Sequence, residues 1–320
     1  MTAPLVLESF RSQYIGGRRV AGAAAAPTSV ALSPGLTSYT HDPSDTIHVE
    51  QAYVQSWVPA GRSQQTPVLL VAGGGLTGSC WETTPDGRDG WLLSLLRAGI
   101  PVDVLDNVER GRAGWPAVPG LWAGDPIQRG EKDMWANFRV GRPEDYPARR
   151  PFAGSRFPVD ALDAMLCQSV PRWPANDLVA LETLATVLAT LGPRVVVGHS
   201  HGGGLVARVA CRINIAVTAA VLVEPHGLPD ASDLRPDHPP VALVEGDFLD
   251  RSTLWVELMP RIREYEASLR HVGVRVHRFA LPAMGITGNS HNPMMDTNST
   301  EVADLLIAWL ARQRADGAFA

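Results

Sequence analysis

The sequence predicts an α/β protein whose mainly parallel sheet is flanked by helices, and three observations lead there. From residue 67 onward, short apolar runs of strand length alternate with segments of helical periodicity, the pattern of parallel strands joined by crossover helices. The first of those runs ends in Gly73-Gly74-Gly75, as a fully buried strand does when it gives way to a tight loop. Gly198-His199-Ser200-His201-Gly202 stands between the apolar triplet Val195-Val196-Val197 and a stretch that reads as a helix from Gly203 to Cys211.

Taken in order, residues 1–66 carry Gly, Pro and Ser clusters around one clear β-type stretch, 47–58, and are expected to form an N-terminal β-hairpin extension. Residues 67–72 are the first core strand, 90–98 a helix and 102–106 the second core strand. Periodicity fails over 113–175, a Pro-, Arg- and Trp-rich stretch several times longer than an ordinary connection, expected to be an inserted lid. Asn176 is placed to cap a helix with Leu178, Leu181, Leu184, Leu188 and Leu191 on one face, stopped by Gly192-Pro193. Strands follow at 194–197, 220–223 and 241–245, then a helix over 260–271 and a strand over 274–279. The last helix runs from 299 to 312, with Asn298 and Glu301 spaced for a capping box. The core is therefore expected in two pieces, 67–112 and 176–320, around the 113–175 insertion.

Composition narrows the function. With 320 residues, 45% of them hydrophobic, the chain can bury a large core. A net charge of −5 without a Lys/Arg run gives no footing for nucleic acid or an anionic membrane. No apolar stretch approaches the length of a membrane span. Cys80, Cys167 and Cys211 are odd in number and widely spaced, so they form neither a disulfide framework nor a metal-ligand pair. The N-terminus lacks the basic and apolar regions of a leader, so a cytoplasmic protein is expected.

A serine flanked by glycines at a sharp strand-to-helix turn has its hydroxyl exposed above the sheet edge, which marks Ser200 as a nucleophile in the manner of the α/β-hydrolase fold. A serine hydroxyl needs a base, and the base an orienting acid. In that fold the chain order is Ser, acid, His, so His291, on a polar loop between the last strand and the last helix, is the candidate base. His271 and His277 lie within the preceding helix–strand pair and read as structural. For the acid, Glu224, Asp247 and Asp250 all follow core strands. The backbone N–H groups of Gly74 and His201 are the expected oxyanion donors. His199-x-His201 lacks a third ligand at a convincing spacing, so no metal is expected, and no cofactor. Trp115, Trp122, Trp135 and Trp173, four of the nine tryptophans, fall in the insertion, either lining a substrate pocket or packing it onto the sheet.

The string Ala72-Gly73-Gly74-Gly75-Leu76-Thr77-Gly78, continuing through Trp81-Glu82-Thr83-Thr84-Pro85-Asp86-Gly87-Arg88 and Gly90-Trp91, closely resembles a group of bacterial carboxylesterases in the α/β-hydrolase superfamily. Arg110-Gly111-Arg112 is similar to that group, as is Gly285-Ile286-Thr287-Gly288-Asn289-Ser290-His291 with Met294-Met295-Asp296 behind it. The likeness covers most of 47–112 and 194–312 in pieces and is weak in the insertion. It implies Ser200 and His291 as nucleophile and base and Glu224 as the acid. Two departures stand out: Ala72 takes the place of a histidine that commonly opens the glycine loop, and Gly74-Gly75 the place of adjacent cysteines in some relatives, which removes a vicinal disulfide. Export is common in the group, although no leader is visible here.

The expected activity is hydrolysis of a small carboxylic ester through an acyl-enzyme. Acyl transfer to an alcohol, thioester cleavage, lactone opening, or a non-catalytic binding role on the same fold are the alternatives. A homodimer is possible.

Overall fold

A computed structural model describes residues 4–35, 38–61 and 65–317. The rest of the expected N-terminal extension (1–3, 36–37 and 62–64) and of the C-terminal core (318–320) lies outside the described residues.

Apolar β-branched runs produce the middle of the sheet. Strands β5 (Val68–Val71), β6 (Val102–Asp106), β7 (Arg194–His199), β8 (Val217–Val223), β9 (Val241–Glu245) and β10 (Val276–Ala280) pair in parallel, in the order β6-β5-β7-β8-β9-β10. The N-terminal β extension adds two antiparallel strands to the β6 edge. There β4 (Thr46–Pro59) pairs with β6, and the long edge strand β1 (Leu7–Ala21) pairs with β4 from Leu7↔Pro59 to Ala21↔Thr46. Between them β2 (Thr28–Val30) and β3 (Tyr39–His41) form a separate two-stranded ribbon. Strand β1 is mostly exposed and polar, which is why its sequence carries so little strand signal.

Alternation sends successive side chains to opposite faces. Val68 and Leu70, with Val195 and Val197, pack on one face, and Leu69, Val71 and Val196 on the other. The first face is covered by α1 (Ser79–Glu82), α2 (Trp91–Arg97) and α8 (Ser299–Ala315), through Trp81, Trp91 and Trp309. The second is covered by α5 (Asp177–Leu191), α6 (His201–Ala210) and α7 (Thr253–His271), through Leu184, Val206 and Tyr265.

The stretch 113–175 contains short helices, among them α3 (Glu131–Asn137) and α4 (Leu162–Leu166). Its Met134, Trp135, Phe138 and Leu162 are buried within the first-face core, so it shares that core rather than forming one of its own.

Several boundaries differ from expectation. Leu178 is 64% exposed, because at about 100° per residue it points well away from the buried Ala180, Leu181, Leu184, Val187 and Leu188. The Asn176 side chain donates to Glu109 Oε2 at 2.9 Å instead of capping α5. At α8 the Asn298 side chain makes no cap hydrogen bond and exchanges hydrogen bonds with Asn289, at 2.8 and 3.2 Å. Helix α7 begins at Thr253, so Pro260 lies inside it. A proline there removes the donor to the Val256 carbonyl, and Val256 is solvent-exposed, where the loss is least costly. The strand expected over 274–279 runs instead over Val276–Ala280, after a turn at Gly273 with φ +87°.

Candidate active site

The G-x-S-x-G string makes the turn its sequence calls for. Ser200 follows β7 with φ 55° and ψ −121°, a strained conformation for a residue with a side chain, and α6 begins at the next residue. Two close approaches explain the glycines. A Cβ on Gly198 would fall 2.6 Å from the Gly202 carbonyl oxygen, and one on Gly202 would fall 2.4 Å from that of Ala72. The Ser200 N–H donates to the Val223 carbonyl at 2.8 Å, which fixes the turn against β8.

Strand β8 delivers Glu224 beside that turn, again at positive φ (51°). Its carboxylate is 1% exposed and fully engaged. Arg139 donates to both oxygens at 2.7 Å, the Gly246 N–H donates to Oε1, and His291 meets Oε2 through Nδ1 at 3.2 Å. A carboxylate only accepts, so Nδ1 carries the proton and Nε2 keeps a free lone pair. That is the tautomer a general base requires.

His291 is held from all sides. Its N–H donates to the Phe138 carbonyl at 2.8 Å, and its own carbonyl meets His199 Nε2 at 2.9 Å. The Trp255 and His199 rings lie 4.7 and 4.6 Å from it, centroid to centroid. Burial pushes its pKa well below the ordinary histidine value, with the Arg139 cation pushing the same way. The loop carrying it is anchored by buried Asp296, which accepts from the Ser290 N–H at 2.8 Å, Ser290 Oγ at 2.7 Å and Asn289 Nδ2 at 3.0 Å. Arg88 in turn donates to the carbonyls of Asp296 and Thr297, both at 3.1 Å, so the loop after β5 is tied to the loop carrying the histidine.

Gly73 and Gly74 pass over the turn. A Cβ on Gly73 would sit 3.1 Å from Ser200 Cβ, and one on Gly74 3.4 Å from His201 Cβ. Gly74 and His201 thus lie side by side, and His201 N–H opens α6, where the helix leaves its first donors without internal partners. The His201 ring turns to Asp177 Oδ1 at 3.0 Å.

The rival carboxylates stand elsewhere. Asp247 accepts from the N–H groups of Phe248 and Gly288, at 2.7 and 2.8 Å, a bracing role in the same loop system. The Asp250 side chain is 80% exposed beside Arg251.

None of the insertion's four tryptophans is among the residues lining the cleft at Ser200. The cleft beside Ser200 is lined by Gly74, Phe138, Trp255 and His291, together with Leu254, Leu258, Asn137, Arg129, Arg172 and His226. Trp115 and Trp122 each pack against Trp173, with centroids 5.3 and 5.0 Å away, and Trp122 Nε1 donates to Glu50. Trp135 is buried, donating to the Arg142 carbonyl. Trp122 and Trp135 thus have their indole N–H groups paired, while Trp115 remains 51% exposed. Sequence reasoning missed Arg139, Trp255, Arg129, Arg172 and His226, since nothing in their spacing marks them.

A sheet of this order, with a serine at such a turn between β7 and α6, defines the class as the α/β-hydrolase fold. The chain is 31% identical to a bacterial esterase of known structure, matching 98% of each chain with a TM-score of 0.86. It therefore belongs to that esterase family of the α/β-hydrolase superfamily. It is also 26% identical over 318 residues, 82% of this chain and 86% of the relative, to probable secreted lipase phiG of Fungal sp. (strain ATCC 74256). No family model matches the chain. The fungal relative, described as secreted, overturns the expectation of a cytoplasmic protein: a missing leader pattern is a weaker guide to location than a relative along most of the chain. Among the described residues no helix is long and apolar enough to cross a membrane.

Proposed function

We propose that this hydrolase cleaves small carboxylic esters by a serine mechanism, with Ser200 as nucleophile, His291 as base and Glu224 as the orienting acid. The observation that carries the reading is the His291 Nδ1–Glu224 hydrogen bond at 3.2 Å, made by an imidazole that lines the same cleft as Ser200. Ser200 Oγ attacks the ester carbonyl while His291 Nε2 takes its proton. The alkoxide leaves with that proton as the alcohol, and the acyl group stays on Ser200. Water, deprotonated by His291, then releases the carboxylic acid. The oxyanion of each tetrahedral intermediate is held by the N–H groups of Gly74 and His201, with the positive end of α6 beneath them. Residues 113–175 act as an inserted lid over this chemistry, contributing Arg129, Asn137, Phe138 and Arg172 to the cleft. The relationship to a secreted relative supports a secreted enzyme.

An organophosphonate ester tests the mechanism directly. It should label Ser200 alone, and Ser200→Ala should lower turnover by about 10⁶-fold. An alanine variant retaining full activity would remove the serine mechanism. Product analysis with added alcohols separates hydrolysis from acyl transfer.

A further inference from the structure

The cleft at Ser200 carries a charge pattern that ester hydrolysis alone does not require. Its lining holds the guanidinium groups of Arg129 and Arg172 and the imidazole of His226, and among the described residues no aspartate or glutamate. The carboxylates that pair with these arginines, Asp133 at 3.1 Å and Asp177 at 2.8 Å, stand outside the lining.

The pairing leaves one donor over. Arg172 meets Asp177 through Nη2, while its Nε–H is buried without an acceptor. A Cβ built on Gly74 would lie 3.8 Å from that nitrogen, so the unmatched donor sits beside the expected oxyanion loop. A buried donor with no acceptor costs its full desolvation, and an acceptor arriving with the substrate would recover it. The same positive field acts on the neighbouring imidazoles. His226 is held at about 4, by burial first, then by His201, Arg172 and Arg129. His201 is also held at about 4, by burial, with Arg172 and Arg110 adding to it against Asp177.

We propose that the site is built for esters that carry a carboxylate, such as half-esters of dicarboxylic acids, with Arg172 and Arg129 holding the carboxylate while the ester carbonyl lies at Ser200. The inference rests on the serine reading above. Guanidinium groups suit the task because their planar donors match a carboxylate. Leu254, Leu258, Phe138 and Trp255 supply an apolar lining for the carbon chain between the two ends.

The test uses monomethyl glutarate and dimethyl glutarate as competitors of para-nitrophenyl acetate hydrolysis, which gives a ratio of inhibition constants whether or not either is turned over. The monoester should bind at least about tenfold more tightly than the diester, and added salt should narrow the gap. Arg172→Gln should bring the two constants together, and Arg172→Lys should restore part of the difference. Arg129→Gln, at a more exposed position where folding is not at risk, should also narrow the gap. Equal inhibition by both esters in the wild type, or a preference untouched in both glutamine variants, overturns the inference. Para-nitrophenyl acetate is uncharged and reports separately on the serine reading. If Ser200→Ala hydrolyses it as fast as the wild type, both proposals fall. If only the wild type hydrolyses it and the two glutarates compete equally, the carboxylate inference alone falls.

Discussion

At the scale of single residues, the distinctive feature is the carboxylate of Glu224, shared between His291 and a fully buried guanidinium. A lone buried carboxylate would draw a proton onto the imidazole. With Arg139 bonded to both oxygens, most of that charge is already matched, and His291 stays neutral until well below its ordinary range. His291 also faces His199, His226 and Arg129, which oppose its protonation or leave it unchanged, so among the described residues Glu224 is the one negative group hydrogen-bonded to it. Arg139→Gln should therefore raise the acidic limb of the kcat/KM profile, since Glu224 then acts unopposed, and Arg139→Lys should bring it back part of the way. The same change should cost about 3–5 kcal/mol of stability, as expected when half of a buried pair is removed. A pH–rate profile with a parallel denaturation curve checks both, and an unmoved limb in a destabilised variant would leave Arg139 a purely structural role. Comparing the three carboxylates is equally direct. Glu224→Gln should lower kcat by about 10⁴-fold, whereas Asp250→Asn, at an exposed side chain, should stay within about twofold. Asp247→Asn should act chiefly through stability, because its contacts are to backbone N–H groups of Phe248 and Gly288.

At the scale of elements, the turn after α3 is the link between insertion and core. Three consecutive residues there reach the candidate site. The Asn137 carbonyl accepts from Trp255 Nε1 at 3.1 Å, the Phe138 carbonyl accepts from His291 N–H, and Arg139 holds Glu224. Arg139 adopts φ 55°, and the buried pairing it reaches compensates for that strain. Phe138→Ala should then both destabilise the fold, by about 3 kcal/mol for a buried ring, and lower kcat/KM, because that ring stands 5.5 Å from His291. Trp115→Ala and Trp122→Ala should leave the ranking of short and bulky esters unchanged, since these rings pack on Trp173 outside the cleft. Ester panels on the three variants decide the matter, and a changed ranking in either tryptophan variant would return those residues to the substrate pocket.

At the scale of the whole molecule, a cluster of histidines buried in neutral form sets the acid limit. His199, His201, His226 and His291 are all depressed, in each case with burial as the largest cause. In the unfolded chain each takes up a proton near pH 6.5, while in the folded protein it does not until lower pH. At these histidines the unfolded state thus binds more protons between the two values, so their contribution is full above about pH 6.5 and falls on acidification. It is offset in part by Asp296, which burial raises to about 7 and which acts with the opposite sign. For His201 and His226, held at about 4, the loss between pH 6.5 and 5 is on the order of 2 kcal/mol each. Thermal unfolding at pH 7.5 and pH 5 should show a clear drop in Tm. A Tm unchanged across that interval would mean these imidazoles are not buried neutral.

Much of the architecture was legible in residue order because it is encoded locally. Apolar β-branched runs, the glycine loop, the strand–glycine–serine–glycine–helix turn at Ser200 and the polar loop at His291 each lie in a short contiguous stretch. Their meaning depends on periodicity and sterics within a few residues. Helix ends were less legible, because Asn176 and Asn298 had better partners elsewhere than the backbone they were placed to cap. What only the tertiary structure decided is how distant charges and rings meet. Arg139 and Glu224 are 85 positions apart, and His291 and Glu224 67. Bringing Glu224 rather than Asp247 or Asp250 into hydrogen-bond contact with His291, setting Trp255 against the histidine and packing Trp122 and Trp115 on Trp173 all depend on burial. An ionic or aromatic partner is selected by which surfaces exclude water together, and no local pattern in the chain records that.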